Sequence, residues 1–158
     1  METTRDSSSV TWPYPRWIAH RGAGKLAPEN TLAAFERGAS YGFRMFECDV
    51  KLSADREAFL LHDAELERTT SGRGLAGAMN WADLSLLDAG LWHSAPFAGE
   101  PLLHLDRLAA WLQAGGHLVN LEIKPTPGTE RLTGEVVARR VEQLWAGSAV
   151  KPLLSSFQ

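Results

Sequence analysis

The sequence predicts an α/β fold with a parallel sheet, on three observations. Short apolar runs end in charged residues. Stretches with apolar positions three or four apart stand between them. Glycine or proline closes most segments. Strands alternating with helices in this way build βα units.

The first apolar run is Trp17-Ile18-Ala19, which reads as a short buried strand followed at once by His20 and Arg21. Gly22 and Gly24 break the chain behind them, and Asn30 or Thr31 can cap a helix carrying Leu32, Phe35 and Ala39 on one face. Gly42 ends that helix after Tyr41. A second strand lies in "RMFECDVKLS", followed by a turn near Ala54-Asp55 and a short extension, "AFLLHD". Residues 64–104 are irregular, with "TTSGRG" as a loop signal and one short helix expected at Asn80 to Leu87. "LDRLAAWLQAGG" is an amphipathic helix closed by Gly115 and Gly116, and "HLVNLEIKP" is a third strand stopped by Pro125. A helix from about Thr133 to Ala146 places Val136, Val137, Val141 and Leu144 on one face, and "KPLLSSF" is a fourth strand. A structureless connection as long as 64–104 on such a scaffold is usually functional.

Composition narrows the partners. The chain has 158 residues, 44% hydrophobic, which suffices for one core, and a formal charge of -3. Nucleic acid and anionic membranes both favour a basic face, so neither is expected as a partner. The single cysteine, Cys48, permits no internal disulfide. "METTRDSSSV" lacks the basic start and apolar centre of a signal peptide, and no apolar run is long enough to span a bilayer. A cytoplasmic location is expected.

The chemistry gathers on two strands. Alternation puts Glu47 and Asp49 on one face of the second strand, with Phe46, Cys48 and Val50 on the other. On the third strand Glu122 and Lys124 share a face, opposite Leu121 and Ile123. The same pattern describes a strand with one face in water, but strands of a parallel sheet are normally covered on both faces. Three carboxylates turned to one interior would repel, and buried charge is costly without compensation. A divalent cation supplies it, and oxygen-only ligation suits Mg²⁺ or Ca²⁺ rather than zinc.

His20 and His62 each follow an apolar run, "WIAH" and "FLLH", and so are expected at the carboxyl ends of strands. α/β sheets place their chemistry there. Two histidines could serve as general base and general acid, although a histidine taken singly is more often a structural or surface residue. Arg21 offers a planar fork for phosphate oxygens, or a surface ion pair. His93, His104 and His117 have no partner motif around them.

"HRG" at 20–22, "PEN" at 28–30, "E-x-D" at 47–49, "HD" at 62–63 and "E-I-K" at 122–124 occur in that order. Together they resemble the glycerophosphodiester phosphodiesterases, and from about Trp12 onward the chain is similar to the cytoplasmic bacterial type. The resemblance implies a TIM barrel, a (β/α)8 fold, with residues 64–104 as the family insertion. It implies hydrolysis of glycerophosphodiesters such as glycerophosphocholine to sn-glycerol 3-phosphate and an alcohol. Carried over motif by motif, Glu47, Asp49 and Glu122 would bind the metal, and His20 and His62 would be the acid–base pair. Arg21 and Lys124 would hold phosphate or orient the ligands. Such barrels take about 250 residues and rarely fewer than about 200. The 158 residues are therefore expected to form the N-terminal portion of the domain, about four βα units plus the insertion. Two other readings stay open. One is a non-catalytic half-barrel needing a complementary partner, or associating with itself through an open sheet edge. The other is a related phospholipase-type phosphodiesterase.

Overall fold

The computed structural model describes residues 12–157. The stretch "METTRDSSSV", whose sequence lacks a signal peptide's features, lies outside them. A four-stranded sheet in the order β2-β1-β3-β4 organises the molecule. Its strands are β1 (Met45–Leu52), β2 (Ala58–Leu60), β3 (Leu118–Ile123) and β4 (Leu153–Ser155). The helices are α1 (Leu32–Ser40), α2 (Trp81–Leu84), α3 (Leu105–Gly115) and α4 (Glu130–Leu144). β1, β3 and β4 are parallel, and the α/β class follows the alternation in the sequence.

The short extension "AFLLHD" contributes a strand of its own. Its first residues form β2, which folds back antiparallel on the end of β1 and pairs Leu60 with Val50. The turn residues 53–57 are too few for a crossover, so only a hairpin is possible. Ser53 and Glu57 close the hairpin with a backbone hydrogen bond. One expectation needs correction: the run Trp17-Ile18-Ala19 is not a buried strand. Only Ala19 pairs, bridging in parallel to Phe46, while Trp17 and Ile18 are exposed. The same edge of β1 is taken further along by β2, so the first run is held at one residue and turns away at His20.

Local signals hold elsewhere. Thr31 is the N-cap of α1, its Oγ1 accepting from Ala34 N–H, and α1 gives way at Tyr41-Gly42. Gly116, at φ 64, ends α3 in the left-handed conformation. α2 is a single turn inside the expected Asn80–Leu87 window, and α4 begins a few residues ahead of Thr133.

The main core lies between the sheet and the helices on one face. Phe46, Cys48 and Val50 of β1 and Val119 and Leu121 of β3 meet Phe35, Leu108, Leu112, Val137 and Val141. The other side of β1 and β3 is thereby left to their polar residues. A satellite core under residues 64–104 joins Phe59, Leu61, Leu66, Leu84 and Leu102, with Trp81 packed against it. Glu100 ties this segment to α1 by accepting from Ala33 N–H at 3.1 Å. Among the described residues no helix is long and apolar enough to cross a membrane.

Candidate functional site

Parallel register brings the acidic residues together. Asp49 stands opposite Glu122, and Glu47 is one inward step back on β1. One carboxylate oxygen from each of Glu47, Asp49 and Glu122 lies within 4.8 Å of the other two. Asp49 is buried, while Glu47 and Glu122 are half-buried. Glu47 Oε1 and Asp49 Oδ1 are shielded from solvent and have no hydrogen-bond partner among the described residues. Buried carboxylate oxygens are normally partnered. The pair, with Glu122 beside it, offers oxygen donors of the kind that could hold a hard divalent cation. Without one, burial, together with the charges of Asp49 and Glu122, pushes the Glu47 carboxyl up to about 7, although a hydrogen bond from Arg21 N–H opposes the rise.

The turn after Ala19 supplies the next groups. Arg21 sits at φ 52, its N–H donates to Glu47 Oε2 at 3.1 Å, and its Nη1 donates to Glu29 Oε1 at 2.9 Å. Arg21 Nε is 3.3 Å from Asp49 Oδ2. Gly22 is required here. At φ 98, a Cβ on it would come within 2.7 Å of Ala34 Cβ, because the turn rests on α1. His20 projects at the mouth with its side chain 66% exposed and Nε2 3.8 Å from Glu47 Oε2. Asn30, also left-handed at φ 60, is buried and hydrogen-bonds Asp49.

His62 stands just past the carboxyl end of β2, as "FLLH" suggests. It follows an antiparallel strand that returns toward the acidic cluster, and Leu61 N–H donates to Asp49 O. His62 Nδ1 lies 2.7 Å from Asp63 Oδ1. Lys124 Nζ lies 2.7 Å from Glu122 Oε1, so its ammonium sits against the acidic cluster.

Several neighbours were not singled out for a role from sequence. Lys51 continues the inward alternation of Glu47 and Asp49, and that spacing could have marked it. It is 1% exposed, and its Nζ donates to Lys124 O at 2.8 Å. Burial lowers its amine to about 8, against the opposing charge of Asp49. Glu29 and Arg68 complete a chain of ion pairs around the mouth. Nothing in the local pattern distinguishes Arg68 from any loop arginine. His93, His104 and His117 lie among structural contacts: His104 caps α3, and His117 stacks on Trp111. His93 bonds Ser94 and the Lys25 carbonyl.

Residues 20–157 match the glycerophosphoryl diester phosphodiesterase family. The chain is 37% identical over 124 residues to YhdW of Bacillus subtilis, covering 77% of this chain and 51% of that protein. It is 39% identical over 107 residues to a glycerophosphodiester phosphodiesterase of Caldanaerobacter subterraneus, covering 68% of this chain and 44% of that one. It thus spans about half the length of these relatives. A solved Oleispira antarctica phosphodiesterase in complex with sn-glycerol-3-phosphate superimposes with a TM-score of 0.86 at 37% identity, over 91% of this chain and 58% of that one. The four-stranded sheet accordingly corresponds to the N-terminal part of a TIM barrel. By matched motifs, sequence identity and fold, the chain belongs to the glycerophosphoryl diester phosphodiesterase family.

Proposed function

We propose that the chain supplies the metal- and phosphate-handling part of a metal-dependent enzyme that hydrolyses glycerophosphodiesters to sn-glycerol 3-phosphate and an alcohol. The observation that carries this reading is the convergence of Glu47, Asp49 and Glu122, with two buried, unpartnered oxygens, where His20, Arg21 and His62 also stand. The product bound by the Oleispira relative supports the substrate class.

In this reading Glu47, Asp49 and Glu122 hold Mg²⁺ or Ca²⁺. When bound, the cation supplies Lewis-acid neutralisation of phosphate oxygens. Arg21 and Lys124 donate to the non-bridging oxygens, the guanidinium as a fork and the ammonium as a point charge. One of His20 and His62 takes the proton of the attacking oxygen as its bond to phosphorus forms. The other gives a proton to the alcohol oxygen as the old P–O bond breaks. Residues 64–104 are the family insertion in an N-terminal domain portion covering 1–158. A single buried cysteine, Cys48, suits a reducing, cytoplasmic setting.

A second reading, association, rests on the outer edge of the sheet. Among the described residues β4 pairs only with β3, Leu154 is 43% exposed and Phe157 is 87% exposed. An unpaired edge with apolar side chains is a template for another strand, from a complementary half or a second copy.

Calorimetric titration of the chain with Mg²⁺ and with Ca²⁺ tests the metal set. Binding of one ion per chain, weakened at least tenfold in Asp49→Asn, is expected. Equal binding by parent and variant would overturn the assignment. Release of glycerol 3-phosphate from glycerophosphocholine by the chain joined to a relative's C-terminal half tests the reaction.

A further inference from the structure

The Arg68 guanidinium sits between two carboxylates from different parts of the chain. Its Nη1 and Nη2 donate to Glu29 Oε2 and Oε1 at 2.9 and 2.8 Å. Its Nε and Nη2 donate to Asp63 Oδ2 and Oδ1 at 2.5 and 3.1 Å. Both pairings are forked, the arrangement that a planar guanidinium holds most rigidly and that lysine cannot reproduce. Arg68 therefore spends its donors on fixing two acids.

Each acid then holds a group at the cluster. Glu29 Oε1 accepts from Arg21 Nη1, whose Nε faces Asp49. Asp63 Oδ1 faces His62 Nδ1 at 2.7 Å. An ionised carboxylate can only accept, so in the neutral imidazole Nδ1 carries the proton and Nε2 is left as the free basic atom. His62, Asp63, Arg68, Glu29 and Arg21 thus form one unbroken chain of contacts between the second histidine and the metal carboxylates. Asp63 would otherwise be free to rotate, since its side chain is 31% exposed.

We propose that Arg68 is the positioning residue that joins the two sides of the site: its forked bonds to Asp63 and Glu29 set the His62 tautomer and hold Arg21 against Asp49. Arg68 acts through these acids and touches no reacting atom. The catalytic meaning of this role rests on the function proposed above, whereas the positioning itself does not.

The test reads His62 directly, so its outcome is independent of hydrolysis. With histidines labelled in ¹⁵N, magic-angle-spinning spectra of the full chain report each tautomer whatever its oligomeric state. A His62→Gln sample assigns the signal. At a pH where His62 is neutral, the parent is expected to show the Nδ1-protonated form in at least tenfold excess. Arg68→Met and Arg68→Lys are expected to reduce that excess to threefold or less while near-ultraviolet circular dichroism stays that of the parent. Glu29→Gln leaves the Asp63 fork in place and is expected to retain the parent tautomer. An unchanged His62 signal in both Arg68 variants would overturn the proposal. If Arg68→Met does not fold, Arg68→Lys decides, because it keeps the stem and charge but cannot span both acids. Loss of the folded signature in both would make Arg68 a structural residue and overturn the proposal equally.

Discussion

Asn30 and Asp49 are joined by reciprocal hydrogen bonds: Asn30 Nδ2 donates to Asp49 Oδ2 at 2.9 Å, and Asp49 N–H donates to Asn30 Oδ1 at 3.2 Å. Both residues are buried. One oxygen of Asp49 is thereby fixed by an amide, while its other oxygen, Oδ1, is without a hydrogen-bond partner. In the proposed metal site Asn30 would orient a ligand without being one, as outer-shell partners of metal carboxylates commonly do.

Asn30→Ala should therefore cost both stability and metal binding. It strands the buried Asp49 N–H, a penalty of about 1–3 kcal/mol, and leaves Asp49 Oδ2 only the Arg21 Nε at 3.3 Å. Loss of a supporting contact should weaken divalent-ion affinity about 10–100-fold. Chemical denaturation and calorimetric titration measure the two effects separately. Unchanged affinity in a destabilised variant would confine Asn30 to folding.

The raised Glu47 carboxyl gives metal binding a pH dependence. Its value of about 7 lies above the ordinary 4.5, chiefly through burial and then through the neighbouring Asp49 charge. A raised carboxyl favours the folded state while protonated. Its contribution is full below about 4.5 and is lost as the pH rises through about 7. A cation binds the ionised form, so binding below about 7 must expel a proton. Affinity for Mg²⁺ or Ca²⁺ should fall by up to about tenfold per pH unit below that point, the limit for one coupled proton. Titration in buffers of different ionisation enthalpy counts the protons released. Binding that is independent of pH from 5 to 8 would remove Glu47 from the ligand set.

His20→Ala and His62→Ala, each in the chain completed by a relative's C-terminal half, should lower the hydrolysis rate about 10²–10⁴-fold, the range for general acid–base catalysis. Metal affinity should change little in either case. A variant that turns over normally would return its histidine to a structural role.

Residues whose position follows from local periodicity were legible in the sequence. Alternation alone turns Glu47 and Asp49 away from the core side chains Phe46 and Cys48, and the structure has them there. His62 follows the carboxyl end of a strand, as "FLLH" suggests, but that run leaves the direction of the strand open. Strand direction depends on pairing, and here the short turn at 53–57, rather than anything within "AFLLHD", dictates that the chain doubles back on β1. Trp17 and Ile18 look like core residues by composition, yet strand length is set by the neighbours available, and β2 occupies the rest of that edge. Arg68 was invisible because its partners, Glu29 and Asp63, are assembled only by the tertiary fold.

Residues 1–158 alone should hydrolyse glycerophosphocholine poorly, even with excess metal. The metal carboxylates sit on β1 and β3, and β3 is braced on its far side only by the three residues of β4. Among the described residues β4 in turn has no strand on its outer edge, and its neighbour Phe157 is 87% exposed. A wall this thin lets the Glu122 side of the site shift against the Asp49 side, and a displacement of about 1 Å can cost about 10²-fold in rate. The same open edge favours pairing between copies. Purified chain should accordingly elute as oligomers in size-exclusion chromatography with light scattering, and should release little glycerol 3-phosphate. Addition of a relative's C-terminal half as a separate polypeptide should shift it to a smaller, defined complex and raise turnover at least tenfold. A monodisperse monomer with metal-dependent turnover would show that β1, β3 and the insertion hold the catalytic groups without a closed barrel.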